Sequence, residues 1–431
     1  MRADTQFKHL SDDESARQKE IAEWKAYRGA LVKSDIYKTL YEKWDLYIPF
    51  LERAYQLLRP TGEMVFIIPD SYNAAKYAKK SHEFFLANTR IARVDFCSDI
   101  PLFKAGVYNT ILHFTRSNPT AFDTPLRVHR WGEKPDDFEA NAEILTSKAQ
   151  LEFGKDIFKL GASGVASSSI GNFITLDKVC YISYGLRANA DDRNWQGEFS
   201  TGDCLSEHKD KTHPKPFVQG KDLLKWFMRR NLFLEWGTER APNRFSRPTF
   251  PELHESKEKL IAVRTPGEIP KVIYDDKQLY YDASSVGFVP WHHLKGVINR
   301  SINKTCKYVR QDSKGDREER EEISKQFHPK YLLAIMNSSF ARNWLASKRR
   351  SIRHVYPDDW KGLPIVSIPL EKQAVFVSLV DSILVEYKKN GAQLPADAAE
   401  RVVNLEREID EEIYKVYEFT DKGIGIIEQK R

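Results

Sequence analysis

The chain has 431 residues, enough for two or three domains that each bury a core. Its 67 lysines and arginines against 61 acidic residues give a net charge of only +6, which does not by itself establish a nucleic-acid partner. The four cysteines lack CxxC spacing and no apolar run is long enough to cross a bilayer, which excludes a disulfide framework, a cysteine zinc site and a membrane protein.

Charge is unevenly distributed along the chain. Residues 371–431 carry 9 basic and 13 acidic side chains, which leaves 58 basic against 48 acidic in the first 370 residues. A basic surface is therefore expected upstream of an acidic tail. With a polar N-terminus that lacks the apolar core of a signal peptide, the sequence predicts a soluble, cytoplasmic protein with no membrane partner.

The first predicted elements lie within residues 1–69. Residues 1–40 are charged and weakly periodic, which predicts a loose helix or a surface arm. Apolar residues at helical spacing across 47–58 predict an amphipathic helix, which Pro60 and Gly62 end. The unbroken apolar run at 64–69 predicts a strand buried on both faces, as in a parallel α/β sheet.

A second predicted helix at about 75–88 and β-like runs at 91–96 and 110–115 follow. The order helix, strand, helix, strand, strand is that of half a doubly wound sheet. We therefore predict an α/β fold class that starts with a partial doubly wound, Rossmann-like sheet.

The residue pattern changes after this sheet. Residues 161–172 are rich in glycine and serine, as linkers are. Short β-rich segments between proline- and glycine-bearing loops then predict a mixed α+β domain, and two amphipathic helices with a turn at Pro395 predict a C-terminal helical hairpin. The predicted organisation is an N-terminal arm at 1–44, a half-sheet domain at 45–117, a connector at 118–172, the mixed domain at 173–370 and the hairpin tail at 371–431.

Residues 45–69 carry the most specific motif. An acidic residue and Leu-Tyr at 45–47 precede an amphipathic helix that ends in Leu-Leu-Arg-Pro-x-Gly and a strand that ends in proline. This combination resembles the stretch after the catalytic loop in amino-type adenine-N6 DNA methyltransferases of restriction–modification systems, the type IIG or TaqI-like group. An unrelated Rossmann-like unit could give the same helix, turn and strand.

Further resemblances follow in the order found in that family. Residues 95–96, 100–103 and 109–114 are similar to the family's late strands and the loop between them. In such enzymes an aromatic ring stacks on the target adenine once it has left the duplex, and the resemblance implies this role for Phe103. An ordinary core phenylalanine is the alternative. The resemblance makes residues 45–117 the C-terminal half of a methyltransferase catalytic domain.

Four later motifs are similar to the TaqI-like specificity domain. They lie at 217–223, 259–265, 332–338 and 355–365, and the two tail helices also match. Each motif is weak alone, but their order is that of the family. The resemblance therefore implies double-stranded DNA as the partner and residues 173–370 as a target-recognition domain.

Basic and aromatic residues indicate where DNA would be contacted. The densest cluster, 347–354, lies beside Trp344 and Tyr356, and arginine binds phosphate and makes bidentate contacts to guanine. A solvated basic face is the alternative for this run, and Arg264 could equally be a buried pairing partner. Residues 243–248 interleave an aromatic with arginines. The candidate DNA-binding residues are Tyr184, Arg187, Asn189, Lys221, Arg244, Arg247, Arg264, Lys348, Arg349, Arg350 and Arg353.

Two other patterns have simple interpretations. Cys204, His208 and His213 have a spacing that would suit a metal, but no fourth ligand is evident, so we predict no metal site. The charged run at 317–322 predicts a solvated helix or a flexible loop.

The residues that would perform methyl transfer are missing from this sequence. The family's Asn-Pro-Pro-aromatic loop, expected shortly before Asp45, occurs nowhere in the 431 residues, and no glycine-rich turn follows a strand. S-adenosylmethionine is the cofactor that the resemblance implies, but its site is incomplete here and we assign no catalytic residue. The strand at 64–69 would also be an exposed sheet edge unless residues 1–40 or a separate chain covers it.

Two functions follow from these observations. The first is the DNA-binding and target-recognition portion of a site-specific adenine-N6 DNA methyltransferase, from a split, truncated or partner-completed restriction–modification protein. In the partner-completed form a separate chain supplies the N-terminal catalytic half. The second is a non-enzymatic DNA-specificity subunit that docks a separate methyltransferase or nuclease. An adjacent reading frame that ends in Asn-Pro-Pro-Tyr favours the first, and an intact separate methyltransferase favours the second.

We predict that the purified 431-residue chain transfers no methyl group to DNA, because it lacks the loop that aligns the adenine amino group with the methyl donor. Incubation with labelled S-adenosylmethionine and DNA of mixed sequence measures this transfer. Incorporation above that of a protein-free control would contradict the prediction.

Overall fold

The computed structural model describes residues 14–41, 44–73, 75–97, 102–103, 108–117, 126–130, 142–145, 173–191, 194–195, 197–267, 269–308, 316–348 and 354–428. The chain divides into two compact units, Met1–Leu160 and Gly161–Arg431. None of the helices within these described ranges is long and apolar enough to cross a membrane.

The first unit combines helices with a five-stranded sheet. Its elements are α1 (Glu14–Lys33), α2 (Tyr47–Leu57), β1 (Glu63–Pro69), α3 (Lys79–Asn88), β2 (Arg90–Cys97), β3 (Asn109–Thr115), β4 (Leu126–Arg130) and β5 (Ala142–Leu145). The strand order is β1-β3-β2-β4-β5. β3 runs antiparallel to both of its neighbours, whereas β2 and β4 are parallel. The predicted order of helix, strand, helix, strand, strand is confirmed.

Helices α2 and α3 cover one face of this sheet. Ile48 and Leu51 of α2 and Phe85 of α3 share a core with the sheet, and the ring of Phe85 stacks on Phe114 of β3 at 4.6 Å between centroids. Arg28 of α1 donates to the backbone of the segment before α2. Burial of these aromatic and aliphatic side chains stabilises the unit from one side.

The prediction that the strand at 64–69 is buried on both faces is wrong. Met64 and Ile68 of β1 are buried, but Val65 and Ile67 on the opposite face are 58% and 42% exposed. The alternation of strand side chains explains this difference, because the packed core of α2 and α3 lies on the Met64 face. β1 ends the strand order of its sheet and pairs with β3, as the expected exposed edge would.

The second unit contains several small sheets. Its strands are β6 (Phe173–Thr175), β7 (Cys180–Tyr184), β8 (Arg187–Ala190), β9 (Leu205–Ser206), β10 (Lys215–Val218), β11 (Leu232–Leu234), β12 (Phe245–Arg247), β13 (Lys259–Val263), β14 (Val272–Asp275), β15 (Tyr280–Tyr281), β16 (Ser285–Pro290) and β17 (Pro364–Val366). They form the sheets β14-β13-β16-β7, β15-β10-β11-β9, β12-β8 and β17-β6.

Several helices of this unit pack against its central sheet, β14-β13-β16-β7. The helices of the unit are α4 (Leu176–Val179), α5 (Pro251–His254), α6 (Arg300–Asn303), α7 (Asp316–Ser324), α8 (Pro329–Asn337), α9 (Ser339–Lys348), α10 (Pro357–Lys361), α11 (Leu370–Asn390), α12 (Ala396–Val416) and α13 (Asp421–Glu428). At the edge of the sheet, the Asn337 amide donates to Val272 O at 2.9 Å and accepts from Val272 N at 3.0 Å. This exchange satisfies backbone groups that an edge strand would leave unpaired.

The predicted C-terminal hairpin is present as α11 and α12. Gly391, with φ +72°, and Pro395 form the turn between them. Phe376 and Ile383 of α11 and Ile409 of α12 belong to the same hydrophobic core as the central sheet. The hairpin therefore packs directly against the β-rich part of the second unit.

The charged run at 317–322 is not a solvated helix, contrary to the prediction. Arg317 of α7 is 1% exposed, its Nε donates to Glu321 at 2.8 Å, and its Cζ lies 4.7 Å from the ring centroid of Trp291. It also donates to Leu294 O at 2.6 Å. One face of this charged helix is thus buried, and an ion pair and a cation–π contact stabilise it there.

We predict that Arg317→Ala lowers the free energy of unfolding by about 3–5 kcal/mol, because it leaves the carboxylate of Glu321 buried without its cation. Lys325→Ala is the matched control, since the ion pair between Lys325 and Glu322 is exposed and its loss should cost at most about 1 kcal/mol. Urea unfolding measures both. Equal losses for the two variants would contradict the buried role of Arg317.

Candidate nucleic-acid interface

The end of β7 lies unusually close to the backbone after β15. Leu186 donates its N–H to Tyr281 O at 3.0 Å, and Gly185 donates to Ser285 O at 3.4 Å. A Cβ on Gly185 would overlap the carbonyl oxygen of Tyr281, so only glycine fits this position. The close approach fixes Tyr184, the last residue of β7.

The guanidinium of Arg264, directly after β13, lies between two tyrosine rings. Its Cζ is 5.5 Å from the ring centroid of Tyr184 and 5.5 Å from that of Tyr356. The backbone is held too, because Arg264 N donates to Ser284 O at 2.9 Å and Arg264 O accepts from Val355 N at 2.8 Å. Within the described chain this half-buried side chain forms no ion pair, and its Nε–H has no hydrogen-bond partner. The alternative that Arg264 is a buried arginine in an ion pair is therefore wrong.

Two further arginines face each other across a strand pair. β8 and β12 are antiparallel, with Arg187 opposite Arg247, and the Arg247 Cζ lies 5.6 Å from the Tyr184 ring centroid. Burial lowers the pKa of Arg247, and the neighbouring charge of Arg187 lowers it further. Like charges directly opposite on a sheet are unfavourable, and neither arginine has a carboxylate partner among the described residues. A bound anion would relieve this repulsion.

We name Tyr184, Arg187, Arg247, Arg264 and Tyr356 the arginine–tyrosine surface. Burial raises the pKa of Tyr184 to about 12, against the opposing effect of Arg264. Its hydroxyl is therefore neutral at physiological pH and can donate a hydrogen bond. The surface combines planar cationic donors with aromatic faces, which suits phosphate oxygens and nucleic-acid bases.

Two other residues that the sequence predicts to bind DNA, Asn189 and Lys221, lie next to this surface. The Asn189 side chain accepts a hydrogen bond from Ser246 Oγ at 3.1 Å, between the strands that carry Arg187 and Arg247. Lys221 is exposed in a turn where Gly220 N donates to Ser284 Oγ at 2.8 Å. Because Ser284 also bonds to the backbone of Arg264, this turn lies next to the arginine–tyrosine surface.

Other predicted DNA-binding residues do not join this surface. Arg244 is paired with Glu198, and its Cζ lies 4.8 Å from the Trp195 ring centroid, so its charge is already compensated. Lys348 is the last residue of α9, and its side chain lies outside the described part of the structure. Arg349, Arg350 and Arg353 also lie outside the described residues.

The metal candidates are not assembled into a site. Cys204 is buried and donates to Ala188 O, whereas His213 is hydrogen-bonded to Asp210. Within the described residues no group of three potential metal ligands is found.

Phe103, in the first unit, is 51% exposed. The alternative of an ordinary core phenylalanine is therefore wrong, while stacking on a target base stays a prediction.

Sequence reasoning missed two residues at this interface. Tyr356 was noted only as a neighbour of the basic cluster, but it forms one face of the Arg264 site. His354 contacts Thr265 Oγ1 through Nδ1 at 2.9 Å. The hydrogen bond from Val355 to Arg264 brings both residues here, and nothing in local spacing indicates such a tertiary contact.

The first unit is similar in sequence to known proteins. Residues 17–103 match the family model described as Eco57I restriction-modification methylase. Over 99 residues the chain is 37% identical to the Type II methyltransferase M.XhoI of Xanthomonas vasicola. This alignment covers 21% of this chain and 17% of that protein. The predicted resemblance to restriction–modification methyltransferases is thereby confirmed over this segment. The TaqI-like subtype and the adenine specificity stay predictions.

The fold is similar to that of the Type IIL restriction-modification enzyme MmeI, solved in complex with DNA. The TM-score is 0.52 at 10% sequence identity, and the alignment covers 89% of this chain and 51% of that chain. A cryo-EM structure of a DrdV–DNA complex aligns with a TM-score of 0.40 at 12% identity, over 83% of this chain and 42% of that chain. This chain thus spans about half the length of MmeI. The mixed α/β fold with C-terminal helices is confirmed, while the doubly wound sheet stays a prediction.

The residues at the carboxyl end of β1 are bonded to neighbouring strands and loops of the first unit. The amide of Asn73 donates to Thr110 Oγ1 at 2.6 Å, and Asp70 N donates to Tyr108 O at 2.9 Å, so both residues are tied to the unit itself. Within the described residues, this end of the sheet supplies no glycine-rich turn for the cofactor. We therefore derive no methyl-transfer step from this chain.

We predict that Gly185→Ala lowers the free energy of unfolding by about 1–3 kcal/mol, because its Cβ must displace the Tyr281 backbone. Gly202→Ala is the control, since a Cβ there meets only Ser200 Oγ at 3.6 Å. Urea unfolding compares the two. An unchanged midpoint for Gly185→Ala would contradict the close approach that positions Tyr184.

Proposed function

We propose that this chain carries the target-recognition portion of a site-specific adenine-N6 DNA methyltransferase of a restriction–modification system, of the TaqI-like group. Residues 173–370 contact double-stranded DNA through the arginine–tyrosine surface. The carrying observation is that Arg247 and Arg264 lie against the ring of Tyr184, with Arg187 opposite Arg247, and that none of the three has a carboxylate partner among the described residues.

The charge arrangement supports an anionic ligand. Two cations buried in the core of the second unit are paired, Arg317 with Glu321 and Lys259 with Asp275. Unpaired guanidinium groups beside one another cost free energy in the unbound protein, and phosphates remove that cost while releasing counterions from DNA. Phosphate contacts of this kind set the position of the protein on the duplex.

The aromatic rings give the surface its geometry. Tyr184 and Tyr356 each lie 5.5 Å from the guanidinium carbon of Arg264, and these two contacts restrict its orientation before DNA arrives. A preorganised planar fork suits bidentate contact with guanine or with a phosphate. Arg264 is accordingly our leading candidate for base readout, and Arg187 and Arg247 for phosphate contact.

The first unit supplies part of the methyltransferase sheet in this proposal. Its edge strand β1 carries exposed Val65 and Ile67, and such an edge is a liability unless another strand or helix covers it. The catalytic loop and the cofactor site would come from polypeptide outside these 431 residues, in the same protein or in a separate chain. Phe103 would stack on the target adenine.

We predict that DNA affinity falls steeply with salt, and that Arg187→Gln or Arg247→Gln each lowers the slope of log K against log salt by about 0.9, the value for one phosphate. Fluorescence anisotropy with a labelled duplex at several salt concentrations measures this. Lys325→Gln, which removes an equally positive but distant exposed charge, should leave the slope unchanged.

A second variant separates charge from geometry at Arg264. Arg264→Lys keeps the charge but loses the planar fork, so it should reduce discrimination between sequences while keeping the salt slope. Salt-independent binding, or arginine variants that behave as Lys325→Gln does, would contradict the proposed interface.

A further inference from the structure

A cavity lined by several basic side chains lies in the second unit, and it shares no lining residue with the arginine–tyrosine surface. Its volume is about 280 Å³, and it opens between the loop before β14, the junction of α8 and α9, and one face of α12. The lining residues that matter for its chemistry are Lys225, Ser339, Arg342, Glu406, Arg407 and Asp410.

Arg342 of α9 is the unusual group in this cavity. Its Nε and Nη2 are both shielded from solvent, and neither has a hydrogen-bond partner in the structure. Buried polar groups are nearly always paired, so two unpaired donors on one charged side chain indicate a ligand or ion. Nε and Nη2 form one edge of the planar guanidinium, which is the edge that binds two oxygens of an oxyanion at once.

The carboxylates of the cavity are engaged elsewhere. Glu406 accepts hydrogen bonds from Lys225 Nζ at 2.8 Å and from Trp226 Nε1 at 2.5 Å. Asp410 accepts from Ser339 N at 2.8 Å and from Ser339 Oγ at 2.6 Å, which caps the start of α9. Within the described part of the chain, Arg342 forms no ion pair with either acid.

A second cation adds to the positive potential. Arg407 donates to the side chain of Asn404 at 3.0 Å and forms no ion pair within the described chain. Lys225, Arg342 and Arg407 bring three positive charges to the cavity against the two carboxylates of Glu406 and Asp410, so the cavity keeps a positive surplus. A cavity of this size holds a phosphate group with room for water.

We propose that this cavity binds a phosphate group through the Nε and Nη2 edge of Arg342, with Arg407 supplying further charge. The phosphate belongs either to the DNA backbone or to a free phosphate compound. Ile269 also lines the cavity, and it lies five residues after Arg264, a distance that an extended chain spans in at most about 18 Å. One duplex could thus reach both places, an option that rests on the proposed function.

The first experimental arm uses no DNA. Isothermal titration with inorganic phosphate compares the full-length chain with Arg342→Gln and Arg342→Lys. We expect binding to the wild-type chain and an affinity about ten-fold lower for both variants, because each loses the two-oxygen contact. Arg407→Gln, an exposed position that tolerates substitution, should weaken phosphate severalfold, whereas Lys325→Gln should not.

The second arm identifies the source of the phosphate. If the DNA backbone supplies it, Arg342→Lys and Arg342→Gln weaken duplex binding, and Arg342→Gln lowers the salt slope by about 0.9. If inorganic phosphate binding is lost in the variants but duplex binding is unchanged, the site serves a free phosphate compound. If the variants match the wild-type chain in both arms, the proposal is overturned. The first arm does not involve DNA. It therefore still tests phosphate binding by the cavity if the arginine–tyrosine surface does not bind DNA.

Discussion

The arginine–tyrosine surface of the second unit depends on the backbone of Arg264. Its N–H is bonded to Ser284 and its carbonyl to Val355, so one residue joins the segments after β13, after β15 and before α10. Because both backbone groups are used, the side chain has a fixed origin, and Tyr184 and Tyr356 restrict its direction. A flexible cation would lose entropy on binding, whereas this one is ordered in advance.

The second unit uses charge in two distinct ways. In the interior, Lys259 and Asp275 are both fully buried and form an ion pair, and burial lowers the pKa of Lys259 against the attraction of that partner. Arg317 is compensated in the same manner by Glu321. Breaking such pairs is costly, so they specify the fold. The arginines on the arginine–tyrosine surface have no carboxylate partner in the part of the chain that the structure describes, so their charge is available to a ligand.

The sequence predicted elements better than it predicted contacts. The helix ended by Pro60 and Gly62, the strand at 64–69 and the C-terminal hairpin are all present, because local periodicity and turn residues determine them. Tertiary packing decides which face of a strand is covered, so the apolar sequence of β1 does not indicate that Val65 is exposed. Likewise, a charge run does not show that Arg317 is buried, and no spacing relates Tyr184 to Tyr356.

The edge strand of the first unit bears on the proposed role of that unit. β1 is held by β3 on one side and by the α2 and α3 core on one face, while Val65 and Ile67 remain exposed on the other face. An added strand would gain backbone hydrogen bonds along β1, and an added helix would bury these two side chains, so each contribution stabilises the assembled sheet. In the proposed assembly, pairing of the catalytic half with this edge is driven by the same interactions that stabilise the sheet.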